Sequence, residues 1–341
     1  MLAWAAARGR QVGPAVALYA VLIAATERLA RTPLVDGSDV LRATAESIEV
    51  TLRGGNPYAH QLVSTIPPGS PFVYPPGELL WYLPWHVWLD DITRVDTVSG
   101  IAITALIGFA GLRVGFGATA LPAMLYASWG ILSFRAVDGS NDVSGSLLVV
   151  IALVALAFAR GGRRRDVAFV ISAIALGWAV AFKQFALLVV PPLLRHLAVA
   201  GAPWRRYAAI SAGTAAAMSL PFFLASPGDF VGSQLAALTF HSEVWGANLA
   251  ATFQQFAFID PYLGWFFVAE IAVTLAAVAL SLRARIPTIG GAALVGAGLI
   301  TVPLLLARWT TQPYWVYVAA IALTGLALDR GNVAGGATST H

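Results

Sequence analysis

PPGELLWYLPWHVWL, residues 75–89, decides the topology of this 341-residue chain. The stretch is apolar, yet it is short, opens on two prolines and carries Glu78, Pro84 and His86. A crossing helix needs about 20 predominantly apolar residues. The spacing therefore predicts an interfacial or re-entrant helix, with its irregular backbone kept out of the lipid.

Working outward, apolar runs long enough to cross lie near 12–30, 97–113, 117–134, 144–160, 166–182, 184–200, 207–225, 262–282, 288–307 and 313–329. With 58% hydrophobic and 11% charged residues, the composition is that of an all-α polytopic membrane protein with about 10 crossings. One domain over 1–330 is expected, followed by a disordered cytoplasmic tail, 331–341. Arg8 and Arg10 ahead of the first apolar run imitate a secretory signal, but no clear small-x-small cleavage site follows, so the run is read as an uncleaved first span. Cysteine is absent, which excludes disulfides, thiolate chemistry and zinc–thiolate sites.

Short cytoplasmic loops collect arginine. With the N-terminus inside, the inner side receives Arg8, Arg10, Arg113, the RGGRRR run at 160–165, Arg195, Arg205, Arg206, Arg283, Arg285 and Arg330. Counting 75–89 as a crossing would move RGGRRR outside unless another helix were dropped. The same assignment sends nearly every carboxylate outward and leaves only Asp166 and Asp329 inside, apart from Glu27 and Glu270 within spans. The net charge of +4 is an orientation signal, and no basic patch interleaved with stacking aromatics points to nucleic acid. The outer side holds two long loops, 31–96 and 226–261. Long loops are where function concentrates, so the chemistry is expected on the outer face of a plasma membrane, with both termini cytoplasmic.

In the first loop, Val40, Thr44, Ile48 and Leu52 recur at i, i+4 beside Leu41 and Ala45, with Arg42, Glu46, Glu49 and Arg53 opposite. That pattern predicts an amphipathic surface helix, capped by Ser38 or Asp39 and stopped by Gly54-Gly55. Asp39 is either that cap or a carboxylate held at the water–lipid boundary. Asp36 and Asp39 could alternatively pair on a divalent cation, whereas His60, His86 and His241 lack metal-ligand spacing. Asp138, Asn141 and Asp142 form a polar turn before the next span, and Arg308 opens another polar mouth, where it could simply snorkel. Tyr74, Trp81, Tyr82, Trp85 and Trp88 read as an interfacial aromatic belt or as guides for a lipid chain.

Lys183, in AFKQFALLVVPPLL (181–194), is the only lysine of the chain. A lysine at bilayer depth costs roughly 2.5–3.5 kcal/mol, so it should sit beside water, an anion or a carboxylate. The topology places it at an outer-face break between the fifth and sixth spans. There it is either a phosphate ligand or the partner of a carboxylate such as Asp142.

The motifs bear a likeness to a known family. An aspartate after the first span (Asp39 or Asp36) is followed by Gly54-Gly55-Asn56-Pro57-Tyr58, then Tyr74-Pro75-Pro76 ahead of an apolar stretch with Pro84. Lys183 near Pro191-Pro192, and Leu220-Pro221-Phe222 before Phe230, complete the order. The chain resembles the membrane-embedded GT-C glycosyltransferases, specifically the polyprenyl-phosphate-mannose-dependent mannosyltransferases of glycosyltransferase family 87, over about residues 30–325. It departs from them at Ser140-Asn141-Asp142, where many members carry a Gly-Gln pair, and is somewhat short.

The resemblance implies inverting transfer of a sugar, mannose by analogy, from a polyprenyl-phosphate donor to a lipid or glycan acceptor. It implies Asp39, or behind it Asp36, as general base. Lys183 and Arg308 would hold the donor phosphate, and Asp142, Asn141, His60, Tyr58, Tyr74 and His241 would contact sugar or acceptor. No cofactor or metal is implied; the partners are membrane lipid, donor and acceptor. Two other functions fit the composition: a flippase or transporter of a lipid-linked sugar, and a GT-C-like component without activity. No internal repeat of the kind common in transporters is visible.

Overall fold

The computed structural model describes residues 9–32, 38–65, 68–89, 91–135, 137–159, 164–239, 244–256, 263–307 and 309–336. Helix α1 (Gly9–Arg31) leads to α2 (Asp39–Leu52) and α3 (Pro76–Leu89). There follow α4 (Thr93–Phe109), α5 (Gly111–Val114), α6 (Phe116–Ser128), α7 (Gly130–Arg135), α8 (Asp142–Phe158) and α9 (Arg164–Phe182). A 3-10 turn (Gln184–Val189) runs into α10 (Val190–Val199), then α11 (Trp204–Ala225) and α12 (Pro227–Thr239). The rest is β1 (Trp245–Gly246), α13 (Leu249–Phe256), α14 (Leu263–Arg283), α15 (Ile289–Leu306), β2 (Trp309–Thr310) and α16 (Gln312–Gly336). Among the described residues, five stretches, Val12–Arg31, Thr93–Val114, Trp204–Ala225, Gly264–Arg283 and Ile289–Leu306, are long and apolar enough to cross a membrane. The chain is a multi-pass membrane protein.

Helix α8 is the axis of the bundle. It is apolar all round and buried along almost its whole length, and α4, α9 and α16 surround it. That is the behaviour of a helix without a polar face. Outside this core α1 lies against α4 and α6, and α15 against α14, α16 and α10. Helix α11 buries only Tyr207 and Ser211. On α14, Trp265, Leu275 and Leu280 stand free of protein. Thr288 shows local chemistry fixing tertiary packing: its hydroxyl accepts the Gly291 amide (2.8 Å), capping α15, and donates to Asp329 Oδ1 on α16 (2.5 Å).

Every apolar run expected to cross is helical, but three depart from single helices. The run 97–113 divides at Ala110 between α4 and α5, and 117–134 divides at Trp129, whose backbone is extended (φ −71°, ψ 109°). The second break frees backbone carbonyls, and Arg28 takes them up: its guanidinium donates to Tyr126 O (3.0 Å) and Ala127 O (3.3 Å) and lies over the Tyr126 ring. Arg28 is fully buried. The run 184–200 opens as a 3-10 turn because Pro191 and Pro192 supply no amide donors and fit only the first turn of α10.

Two further expectations change. The loop 226–261 is largely helical in its described part, through α12 and α13. Helix α16 continues to Gly336, so only 337–341 of the expected tail lie outside the described residues.

Candidate active site

Helix α2 forms where the amphipathic pattern predicts, and Arg53 caps it just before Gly54-Gly55. Its buried face is Leu41, Ala43, Thr44, Ser47 and Ile48, while Leu52 is exposed, so the face is turned from the predicted Val40–Leu52 stripe. The turn has a cause. Thr44 donates to the buried Glu78 Oε1 (2.6 Å), drawing this side of α2 onto α3. Ser38 holds the N-cap position, but its hydroxyl donates to Gly139 O (2.8 Å). Asp39 is thus the first helical residue, with its carboxylate accepting the Val40 amide (3.0 Å).

Helix α3 is short, carries Pro84 internally and docks by its N-terminus. Trp178 Nε1 donates to Gly77 O (2.9 Å), and a Cβ at Gly77 would sit 2.5 Å from Ala181 O. Only glycine allows that approach. The contact lies two residues before Lys183. Pro76-Gly77-Glu78 therefore reaches α2 through Thr44 and the α9 terminus through Gly77.

Lys183 sits in the break between α9 and the 3-10 turn, in extended backbone (φ −150°, ψ 133°). Its Nζ donates to Asn141 Oδ1 and Asp142 Oδ1, both at 2.6 Å, and is almost fully buried. Three rings surround it: Tyr314 at 5.0 Å, Phe185 at 5.6 Å and Tyr74 at 5.8 Å from their centroids. A desolvated ammonium gains from such rings. Asn141 reaches the lysine by adopting a left-handed conformation at the α8 N-cap (φ 63°), which asparagine tolerates.

Beneath Lys183 lies a network that the sequence did not disclose. Asp96 accepts the Tyr82 hydroxyl (2.8 Å), the Ser144 hydroxyl and the Asn141 amide (3.3 Å). Glu78 is fully buried on the short α3, and burial pushes its carboxyl up to about 8 despite the Thr44 hydrogen bond, the nearby Asn141 amide and the Lys183 charge. That shift favours the protonated form of Glu78 at neutral pH. Its one available signal was an acid inside an otherwise apolar helix.

A cavity of about 580 Å³ opens above this network. Its wall includes Asp39, Tyr74, Lys183, Gln184, Gln234, Glu270, Trp309 and Tyr314, with Val40, Leu235, Phe267, Pro303 and Leu304 as apolar surface. The volume lies within the range of small-molecule sites. Tyr74, on a loop, keeps its proton: enclosure first, then Tyr314, Glu78, Asp142 and Asp39 push its phenol well above the usual value.

The sequence-predicted residues divide. Asp39, Lys183 and Tyr74 line the cavity. Asn141 and Asp142 lie behind it as the clamp on Lys183. Tyr58 is buried among Phe72, Phe222 and Phe230, with its hydroxyl spent on Tyr74 O (2.8 Å), so it supports the wall. His60 is on the surface, its Nε2 3.4 Å from Glu46 Oε1. That glutamate accepts the Val63 and Ser64 amides and the Ser64 hydroxyl; these bonds outweigh partial burial and hold its carboxyl below the usual value. Asp36, Arg308 and His241 lie outside the described residues, and with Asp36 goes the Asp36–Asp39 metal pairing. The aromatic belt also divides: Trp88 is exposed, Tyr82 is in the core, and Trp81 packs edge-on against Trp178. Sequence reasoning missed Glu270, Gln184, Gln234 and Trp309 on the cavity wall. Glu270 carried the clearest signal, an acid inside a span.

No protein-family model and no curated protein matches the chain. Solved structures do. ArnT from Cupriavidus metallidurans in its apo state superposes with a TM-score of 0.56 at 18% identity, over 92% of this chain and 59% of that one. The same protein bound to undecaprenyl phosphate gives 0.55 at 18%, over 94% and 60%. The archaeal oligosaccharyltransferase AglB from Archaeoglobus fulgidus, in complex with an inhibitory peptide and a dolichol-phosphate, gives 0.55 at 14%, over 97% and 52%. The chain thus spans about three fifths of ArnT and about half of AglB. These likenesses establish a polytopic membrane fold of the GT-C type, as the motifs implied; membership of family 87 is not shown by them.

Proposed function

We propose that the chain is a membrane glycosyltransferase that moves a sugar from a polyprenyl-phosphate donor to a hydroxyl of a lipid or glycan acceptor. The carrying observation is that one cavity joins Asp39, at the start of the helix that Thr44 ties to Glu78, with Lys183, whose clamp uses two ammonium protons and leaves the third for a ligand. The acceptor oxygen attacks the anomeric carbon as the bond from that carbon to the phosphate oxygen breaks. Asp39 takes the hydroxyl proton, and the electron pair leaves on the polyprenyl phosphate. That leaving group needs its new charge stabilised, not protonated, and Lys183 supplies the stabilisation. Direct displacement inverts the anomeric centre. The apolar wall, with Leu235, Phe267 and Leu304, suits the first prenyl units.

The fold shared with proteins whose structures hold undecaprenyl phosphate or a dolichol-phosphate supports the donor class. The finer reading is mannose as the sugar, Arg308 as a second phosphate ligand, no metal, and a cavity on the outer face with both termini inside. Mannose rests on the motif resemblance, and sidedness on the arginine distribution. The test is transfer from radiolabelled polyprenyl-phosphate mannose in membranes. Asp39→Asn should abolish it while donor binding survives; full activity in both Asp39→Asn and Asp36→Asn would remove the base assignment.

A further inference from the structure

Trp245 and Trp309 face each other across the parallel pairing of β1 with β2. Their indoles stack with centroids 6.1 Å apart and planes 28° from parallel. The mount is rigid. The Ala247 amide donates to Thr310 O (2.9 Å), and Gly246 (φ +100°) lies so close that a Cβ would stand 1.8 Å from that same oxygen. Asn248, itself buried, donates from Nδ2 to Trp245 O (2.8 Å) and accepts the Ala251 amide (2.7 Å). Thr310, fully buried, donates to Leu304 O (2.7 Å) and ties β2 to the end of α15.

Trp309 belongs to the cavity wall, whereas Trp245 does not line the cavity and is 61% exposed. The stacked pair therefore runs from the wall of the reaction cavity outward. A tryptophan that merely anchors a protein at the lipid boundary needs none of this construction. A planar face held at fixed height beside a cavity suits a ligand that is apolar on one face and polar at its edge.

We infer that Trp245 and Trp309 form a stacking platform for a pyranose or furanose ring of the acceptor, one sugar away from the hydroxyl that reacts. The C–H face of the ring packs on the exposed indole while its hydroxyls stay in water. This deepens the transferase reading and rests on it in one respect, that the bound ring belongs to the acceptor. It commits the acceptor to a glycan of at least two rings.

The experiment uses the full chain in lipid nanodiscs and a panel of hexose and pentose disaccharides, followed by saturation-transfer difference NMR. Wild type should saturate the C–H protons of one ring face, Trp245→Ala should lose that signal, and Trp245→Phe should keep it. No saturation in wild type, or an equal signal in Trp245→Ala, overturns the platform. So does quenching of the Trp245 emission, taken as the wild-type minus Trp245→Phe difference, by brominated lipid, because the indole would then be seated in the bilayer. In transfer assays Trp245→Ala should raise the acceptor KM by up to about tenfold with the donor KM unchanged. Disaccharide binding without transfer would uphold the platform and remove the transferase reading. Transfer with an unchanged acceptor KM in Trp245→Ala would do the opposite.

Discussion

Replacing Lys183 separates a structural from a functional cation. Lys183→Ala would strand Asp142, which is buried and has Lys183 as its ion-pair partner. Breaking a buried pair from one side costs about 3–5 kcal/mol, whereas replacing both partners with apolar groups of similar size is often close to neutral. Here Asn141 Oδ1 would still lose a donor, a cost of about 1–3 kcal/mol. Lys183→Met combined with Asp142→Leu should therefore recover much of the stability lost in Lys183→Ala. It should not recover donor binding if the ammonium holds the phosphate. Thermal unfolding of the purified protein gives the first quantity, and equilibrium binding of undecaprenyl phosphate gives the second. A double variant that folds and binds undecaprenyl phosphate as tightly as wild type would leave Lys183 with only its structural part, as the partner of Asp142.

Glu78 offers a pH signature. Its folded pKa of about 8 is above its value of 4.5 in water, so its contribution is fully present below pH 4.5 and is lost as pH rises through 8. Glu78→Gln should flatten a slope of up to about 1.4 kcal/mol per pH unit in that window; an unaltered slope would contradict a buried, protonated carboxyl. Gly77→Ala drives a methyl into the Ala181 carbonyl, and donor KM should rise with little change in expression, as measured by transfer kinetics. Thr44→Val removes the hydrogen bond to Glu78 and should lower kcat by roughly tenfold, about the rate equivalent of one lost hydrogen bond. Transfer should persist in excess EDTA; loss restored by a divalent cation would replace the metal-free mechanism with a carboxylate-held metal.

Where apolar runs sit was legible because hydropathy is a property of the chain alone. The break at Lys183 was legible too, since a cation interrupted the apolar run ahead of paired prolines. Its partners were anticipated only in Asp142. Asn141 joins the clamp through a left-handed backbone that no periodicity announces. His60 shows the opposite failure: a histidine beside the Gly-Asn-Pro-Tyr turn reads as a ligand, yet it faces Glu46 across the surface of α2. Glu78 and Asp96 escaped because long-range contacts decide whether an acid near a helix start meets water or Thr44, Tyr82 and Ser144.

Helix α14 contributes Phe267 and Glu270 to the cavity while leaving most of its own surface uncovered by protein. In a bilayer, acyl chains and lateral pressure would cover that side of the cavity in place of neighbouring helices. The bilayer would then serve as a structural subunit of the site, with a micelle as a poorer substitute. Turnover in nanodiscs should exceed turnover in detergent, and bilayer thickness should tune it without any change in sequence.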